Sequence, residues 1–364
     1  MTDLLGHVTF PALVLVLAVL LIAATMWSVF QNLMMTNGLR PGISLTWGLI
    51  SGPLWTLWRG LARLRRRRSR QRFLSYYGPF ALLLRLGVWA ALLIAGFALL
   101  QWSLGSQFYV PQGTPGLGTD LYVSGTTFFT LGLGDVAPRS ELARAVTVLE
   151  AGAGFTFLAL VIGWYLPLHY QTYARREANI VLLDARAGSP PSAVEMLVRL
   201  GQQGHPEAFS QFLEEWERWA GELLEDHLTY PVLAYFHSRH EQQSWLCALT
   251  TILDVCVLLL VGVEGLPVQP ARVTFAMARH AMADLTQILR APLSRTAPER
   301  LSAQDLDHLR ARLRSAGIPL SEGEIADQAL KDLRGSYEPY MQALSRRLDL
   351  DLPRWMPQLG LLED

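Results

Sequence analysis

Residues 120–135 read DLYVSGTTFFTLGLGD and lie between two long apolar runs of the chain. The apolar part, Leu121 to Thr130, would form only about 15 Å of helix, whereas a bilayer core is about 30 Å thick. If both flanking runs are spans, this segment must enter the membrane and return on the same side. Re-entrant backbone of this kind is tolerated only where it is buried in protein or lines a water-filled path.

Glycine alternates with larger residues in the stretch Thr130-Leu131-Gly132-Leu133-Gly134. Glycine adopts a positive φ at little cost, and alternating backbone handedness turns successive carbonyl groups toward the same side. Four such strands around an axis would form stacked rings of oxygens that replace the water shell of an ion. Thr130 would add its hydroxyl at the inner end. The short helix before the strand would point its partially negative C-terminus at the ion path, which favours cations.

Three apolar runs reach the roughly 20 residues that a spanning helix needs. They are Phe10–Phe30, Phe80–Trp102 and Ala143–Leu166. Eight arginines lie between Arg59 and Arg72, and two more follow the third run. Because arginine-rich flanks stay in the cytoplasm, the second span runs from inside to outside and the third returns. With three spans, the N-terminus lies outside.

The stretch Ile43–Trp58 is apolar but is interrupted by glycine and proline. We interpret it as an interfacial elbow helix with its tryptophans at the depth of the lipid headgroups. The alternative is a fourth span, which would put the N-terminus inside. The segment Arg59–Arg72 that follows is expected to anchor the cytoplasmic side and to contact anionic lipid.

The chain changes character at about Glu177. Residues 1–176 carry 14 basic and 5 acidic side chains, whereas residues 177–364 carry 17 and 26. The second part shows helical patterns and little alternation of period two, which predicts an all-helical cytoplasmic domain. The apolar stretch Leu246–Val263 could be a further span, but Asp254 in its middle favours a buried helix. The other patterns are Ala193–Leu200, Glu207–Phe236, Ala271–Leu289, Ala303–Ala316 and Tyr337–Leu348.

In this setting the chain resembles the pore module of bacterial potassium channels, whose filter motif reads Thr-Val-Gly-Tyr-Gly-Asp. Thr130, Gly132, Gly134 and Asp135 match the motif, and the resemblance covers about Leu82–Tyr170. It implies a homotetramer, because the chain has one filter strand and a single strand cannot surround an ion. It also implies that potassium ions bind at Thr130, Leu131, Gly132 and Leu133, with Gly134 completing the filter and Asp135 supporting it.

The filter departs from the family pattern in several places. Leu133 lacks the hydroxyl of the usual tyrosine, and Phe129 stands where a second threonine is common. Thr126 stands where many bacterial channels have a glutamate. A carboxyl group inside a span is costly and points to a function. We therefore hypothesise that Glu150 lies behind the filter, replaces that glutamate and bonds to Thr126 or Thr127.

The inner span contains candidate positions for a gating hinge. Gly152 and Gly154 lie where the helix could bend, and Gly163 and Pro167 lie near its cytoplasmic end. Glycine in a span also serves close helix packing, so both roles stay open.

The sequence therefore predicts an all-α membrane protein with a potassium-channel-like pore module. The predicted parts are an N-terminal transmembrane helix (1–40), an interfacial elbow with an arginine-rich cytoplasmic segment (41–79), the pore module (80–176) and the cytoplasmic helical domain (177–364). The pore module would consist of two spans, a re-entrant pore helix and the filter. We expect a multi-pass protein of the plasma membrane with a cytoplasmic C-terminus.

The expected function is passive, potassium-selective conduction, with the helical domain serving assembly or regulation. A nonselective cation channel and a non-conducting membrane sensor or scaffold are the alternatives. No catalytic constellation is present in the sequence, so an enzyme is not expected. We also expect no cofactor apart from permeant potassium ions and no nucleic-acid partner, and no regulatory ligand is indicated.

Overall fold

The computed structural model describes residues 2–34, 48, 50–111, 113–201, 206–238, 243–263, 266, 268–294 and 298–356. The chain divides into two compact units. The first consists of Met1–Asn37 and Phe80–Tyr170, and the second of Gly38–Pro79 and Gln171–Asp364. The elbow and arginine-rich segment, predicted as a part of its own, is thus grouped with the C-terminal half of the chain.

Fourteen α-helices lie in the described ranges, together with short π-helical, 3₁₀ and strand segments. In chain order the α-helices are α1 (Thr2–Met34), α2 (Trp55–Arg63), α3 (Arg67–Ser75), α4 (Tyr77–Ser103), α5 (Leu117–Phe128), α6 (Glu141–Leu160), α7 (Leu166–Ala187), α8 (Ala193–Gly201), α9 (Pro206–Thr229), α10 (Trp245–Gly262), α11 (Val268–Ile288), α12 (Ala303–Ser315), α13 (Glu324–Gly335) and α14 (Glu338–Leu348). The π-helical turns are Ile50–Leu54 and Val161–Tyr165, and the 3₁₀ turn is Pro231–Tyr235. The strands are β1 (Phe108–Tyr109) and β2 (Ala137–Pro138), which pair antiparallel.

All three predicted spans are helices long and apolar enough to cross a membrane. They fall within Phe10–Asn32, Ser69–Ser103 and Glu141–Ala187. The second and third stretches are longer than predicted because α3 precedes α4 and because α7 continues the inner helix. The predicted class, an all-α membrane protein, is confirmed.

The N-terminal helix α1 packs along α4 within the first unit. A Cβ on Gly96 of α4 would lie 2.7 Å from Ile22 Cγ1, so the glycine permits a close approach of the two helices. Arg85 is buried inside the apolar run of α4 and donates a hydrogen bond to Asn32 Oδ1 at 3.1 Å. A polar side chain inside a span is expensive unless it is partnered, so this bond helps to fix α1 against the pore module.

The helix α10 also has the length and composition of a span. Every side chain from Trp245 to Leu259 is buried within the second unit, which confirms the predicted burial. Asp254, at its centre, accepts hydrogen bonds from Arg300 at 3.1 and 2.6 Å and from the hydroxyl of Tyr337. A buried carboxylate needs such partners to offset its loss of hydration.

Arg300 holds this part of the second unit together. It donates to the carbonyl oxygen of Pro353 at 2.9 Å and lies 3.5 Å from Glu338. Its guanidinium lies 5.5 Å from the ring centre of Trp355, which is buried. Burial opposes the charge on Arg300, but the neighbouring Asp254 outweighs it and holds the pKa of Arg300 above its ordinary value.

The predicted helical patterns of the second unit correspond to helices α8, α9, α10, α11, α12 and α14. Of the helices described between residues 193 and 348, α13 alone was not predicted. Its buried side chains in the structure are Leu330 and Arg334. The first part of the predicted elbow, residues 43–47 and 49, lies outside the described residues.

The expectation of tryptophans at headgroup depth is wrong for Trp55. This residue is fully buried in the second unit, and its indole N–H donates to the carbonyl oxygen of Arg347 at 2.8 Å. Its ring packs against Tyr77 and Tyr235, with ring centres 4.8 and 5.0 Å away. Trp58 stacks on Phe73 at 4.5 Å. Periodicity alone does not distinguish a tryptophan facing lipid from one facing protein.

We expect the substitution Arg300→Ala to lower the stability of the second unit strongly, because it leaves the buried carboxyl group of Asp254 without its ion-pair partner. Breaking a buried pair in this way typically costs about 3–5 kcal/mol. The matched control is Arg314→Ala, which removes an exposed pair with Glu322 and should cost about 1 kcal/mol or less. The thermal unfolding midpoint of the purified protein measures the difference, and equal shifts for the two variants would contradict the role given to Arg300.

Candidate functional site

The filter segment begins where the short helix α5 ends. The N–H of Thr130 donates to the carbonyl oxygen of Thr127 at 3.0 Å, and the N–H of Leu131 donates to that of Thr126 at 2.7 Å. These bonds satisfy carbonyls at the C-terminal end of the helix, which have no partner within it. The N–H of Gly132 also lies 3.4 Å from the carbonyl oxygen of Thr126, so the N–H groups of the first three filter residues face α5.

The backbone of the filter alternates in handedness. Thr130, Gly132 and Gly134 have φ angles of 58°, 53° and 78°, whereas the leucines between them do not have a positive φ. For a threonine this conformation costs about 1–2 kcal/mol, so the surroundings must hold it in place. The alternation is the geometry that aligns successive carbonyl groups along one side of a strand.

The strand lies uncovered on the surface of its own subunit. Leu131 and Leu133 are 59% and 62% exposed, and Phe129 before them is 47% exposed. Neither leucine can tether the strand by a side-chain hydrogen bond. Support for the strand from within the subunit must therefore come from its two ends.

At the outer end of the filter, Asp135 has a partner that the sequence reading missed. The hydroxyl of Tyr122 on α5 donates to Asp135 Oδ2 at 2.8 Å. This bond ties the residue after the filter to the helix before it. The signal in the sequence was a tyrosine within the pore helix, but no periodicity shows that it faces Asp135.

Glu150 is buried against the pore helix α5, but the predicted bond to Thr126 or Thr127 is wrong. That Glu150 replaces the missing glutamate behind the filter stays a prediction. The side chain of Glu150 is 1% exposed, and its carboxyl contacts the hydroxyl of Ser124. The hydroxyl of Thr126 instead donates to the carbonyl oxygen of Val123 in its own helix at 3.0 Å. Ser124, two residues before Thr126 on α5, is the residue that faces Glu150 on the inner helix.

The hydrogen atoms around Ser124 can be counted. Its hydroxyl lies 2.8 Å from the carbonyl oxygen of Ile94 on α4 and also contacts Glu150 Oε1. A serine hydroxyl has one proton to donate and can accept others. The Ser124 hydroxyl is the donor in both contacts, so its one proton is shared between the carbonyl oxygen of Ile94 and Glu150 Oε1. The three residues then link α4, α5 and α6.

A second buried carboxyl lies near the start of α5. Asp120 is fully buried and accepts a hydrogen bond of 2.5 Å from the hydroxyl of Ser106, in the turn after α4. The strands β1 and β2 pair next to this turn, and the N–H of Arg139 donates to the carbonyl oxygen of Gln107 at 2.8 Å. This ribbon joins the two ends of the segment that holds α5 and the filter.

Of the predicted hinge glycines, Gly154 has a packing role. A Cβ at this position would lie 2.9 Å from the Cα of Phe128, and closer still to its carbonyl oxygen. Helix α6 therefore touches the last turn of α5 directly. Gly152 has no atom of its own subunit within 4 Å of the same point. Both glycines lie inside the continuous helix α6, and their hinge role stays a prediction.

The inner helix departs from α-helical geometry further along. Gly163 lies in the π-helical turn Val161–Tyr165, and Pro167 follows in the first turn of α7. Proline has no N–H to donate, and a π-helical turn is a frequent cause of a change in helix direction. The hinge role of these two residues stays a prediction.

Comparison with known proteins supports the interpretation of this region as the pore of an ion channel. Residues 88–165 match a family model described as "Ion channel". The chain is also 24% identical over 296 residues to the uncharacterized membrane protein YdjJ of Bacillus subtilis (strain 168), and the alignment covers 80% of this chain and 84% of that protein. No solved structure matches the chain significantly.

The matched residues include most of α4, the re-entrant helix, the filter strand and the inner helix as far as the π-helical turn. Residues 88–165 therefore correspond to an ion-channel domain. The resemblance on which the pore module was predicted is confirmed at this level.

We expect Ser124→Ala to weaken the pore domain, because it leaves the buried carboxyl of Glu150 without its partner. An unpartnered buried polar group costs about 1–3 kcal/mol. Thr126→Val is the matched control, since the Thr126 hydroxyl bonds only to its own helix. Glu150→Gln should retain the wild-type behaviour, because the amide oxygen can still accept a hydrogen bond from the Ser124 hydroxyl. Ion flux into liposomes is compared among the variants. An equal loss of flux in Ser124→Ala and Thr126→Val would refute the contact between Ser124 and Glu150.

We expect Gly154→Ala to impair flux severely, because its methyl group would push α6 away from the end of α5. Gly152→Ala adds the same methyl group where the subunit leaves space and serves as the control. Both variants are compared in liposomes at equal protein content. Wild-type flux in Gly154→Ala would show that the contact with Phe128 is dispensable.

Proposed function

We propose that four copies of this chain form a potassium-selective channel that conducts passively through the strand Thr130–Gly134. The observation that carries the proposal is the alternation of left-handed φ angles at Thr130, Gly132 and Gly134. It favours a row of carbonyl oxygens from Thr130 to Leu133, with the Thr130 hydroxyl at the inner end. Such rings replace the hydration shell of a potassium ion.

The exposed filter supports assembly around an axis. A single strand offers oxygens from one side only, whereas an ion needs ligands all around. The exposure of Leu131 and Leu133 in the isolated subunit fits a strand whose remaining neighbours come from other copies. The proposal therefore includes a homotetramer in the plasma membrane.

Electrostatics near the filter favour cations. The helix α5 ends at Phe128, directly before the strand, and the C-terminus of a helix carries a partial negative charge. The N–H groups of Thr130 and Leu131 are bonded to α5, which keeps these donors away from the ion path. Tyr122 supplies a hydroxyl tether to Asp135, which supports a rigid filter although Leu133 has none.

The second unit, which we propose to be cytoplasmic, would regulate the pore through α7. This helix continues from the end of the first unit into the second. Its buried Arg176 donates to the carbonyl oxygens of Leu233 at 2.9 Å and Phe236 at 2.6 Å. Burial and the adjacent Arg176 lower the pKa of His227 to about 3, so its ring stays neutral beside that cation. Movements of the second unit would thus reach α7 through a firm attachment.

The proposed selectivity is tested by reversal potentials of the purified protein in planar bilayers with potassium on one side and sodium on the other. We expect a strong preference for potassium. Equal permeability would identify a nonselective cation channel, and absence of current would favour a sensor or scaffold. Gly132→Ala should abolish conduction because it strains a residue with φ of 53°, whereas Gly125→Ala in the helix α5 should conserve it. Native mass measurement of the purified complex tests the tetramer.

A further inference from the structure

The helix α2 exposes leucines on the face that points away from the rest of the second unit. Leu57, Leu61 and Leu64 are 62%, 46% and 84% exposed. Leu57 and Leu61 lie on α2, and Leu64 directly follows its last residue. The spacings of four and three residues place all three leucines in one stripe. We call this stripe the leucine face. An exposed apolar stripe on a soluble surface is unfavourable and indicates a partner.

The opposite face of α2 is attached to the end of α14. The indole of Trp55 donates to the carbonyl oxygen of Arg347, and Arg59 donates to that of Arg346 at 2.9 Å. In α3, Arg70 forms an ion pair with Asp349. These contacts prevent α2 from rotating to bury its leucines against the second unit.

Exposed arginines lie at the end of α2, in the turn after it and on α3. They are Arg63, Arg65, Arg66 and Arg72. Within the part of the chain that the structure describes, none of these four forms an ion pair, in contrast to Arg70. The guanidinium carbon of Arg65 lies 4.2 Å from the ring centre of Phe73, and this contact restricts the position of the side chain. A concentration of unpaired positive charge beside an apolar stripe fits an anionic surface.

The chain also places this segment close to a membrane. Helix α3 ends at Ser75, and the apolar part of the outer span begins at Phe80. Five residues reach at most about 18 Å, so the segment cannot lie far from the cytoplasmic end of that span. A bilayer surface is therefore within reach of α2 and α3.

We propose that the leucine face of α2 inserts into the cytoplasmic leaflet of the bilayer and that the four arginines bind anionic phospholipid headgroups. Helix α2 would then anchor the chain to the membrane surface through its leucines, while Trp55 on its opposite face attaches it to the second unit. The same short helix would connect the lipid surface with α14. The partner is a phospholipid bilayer carrying phosphatidylglycerol or a lipid of similar charge.

The leucine face is tested by fluorescent labels on the full-length protein. Cysteine is introduced by Leu57→Cys, Leu61→Cys or Leu64→Cys, labelled with bimane, and the protein is reconstituted into phosphatidylglycerol vesicles. The two native cysteines are buried, and the unsubstituted protein gives the labelling background. We expect brominated lipid to quench these labels at least twofold more than a label at Ile325→Cys, an exposed apolar position of α13. Aqueous iodide should show the opposite order.

Other outcomes would overturn the proposal. Labels that respond to iodide and not to brominated lipid would mean that the leucine face is in water. Labels shielded from iodide equally in detergent and in vesicles would mean that another copy of the chain covers it. Neither result would affect potassium selectivity, which is measured separately.

The arginines are tested by lipid composition. In vesicles of phosphatidylcholine alone, and in the variant Arg63→Gln/Arg65→Gln/Arg66→Gln, lipid quenching at Leu61→Cys should fall at least twofold. Adding inorganic phosphate to anionic vesicles should leave the wild-type value unchanged. Quenching that is independent of lipid charge and of the arginines would reject the anionic part of the proposal.

Discussion

The hydrogen bonds from the N–H groups of Thr130 and Leu131 to the carbonyls at the end of α5 govern the architecture of the first unit. They use the backbone donors at the start of the filter, whose carbonyl acceptors then need ions or water as partners inside a membrane. The end of α5 must then be fixed in space. Phe128 is fully buried there, with its ring centre 5.6 Å from that of Phe157, and Gly154 lets α6 approach its backbone.

Three polar pairs hold the re-entrant segment against its neighbours, and each involves a carboxyl group. Ser106 binds Asp120 near the start of the helix, and Ser124 binds Glu150 further along it. Tyr122 binds Asp135 after the filter. The pairs join α5 to the turn after α4, to α6 and to the loop after the strand. A short helix surrounded by apolar spans can slide, whereas directional bonds fix its register.

Much of the pore module could be predicted from the sequence because its constraints are local. A run of apolar residues of a given length predicts a span, and glycine at alternate positions predicts the filter backbone. The partner of Glu150 was predicted incorrectly because the choice between Ser124 and Thr126 depends on the rotation of α5, which several serines and threonines leave open. The orientation of Trp55 was missed for the same reason, since its partner at Arg347 lies far along the chain.

The second unit is discontinuous, and this has a consequence for the biosynthesis of the protein. Trp55 binds a carbonyl 292 residues further along the chain, and Trp355, near the C-terminus, is packed beside Arg300 and bound through its carbonyl oxygen to Ser192. At about 5–20 residues per second, a ribosome needs about 15–60 s to make the partner of Trp55 after Trp55 itself. The spans α4 and α6 of the first unit are synthesised during that interval and have time to enter the membrane. Insertion of the pore domain would therefore come before the second unit closes, and the unit would close around a chain already held at the bilayer.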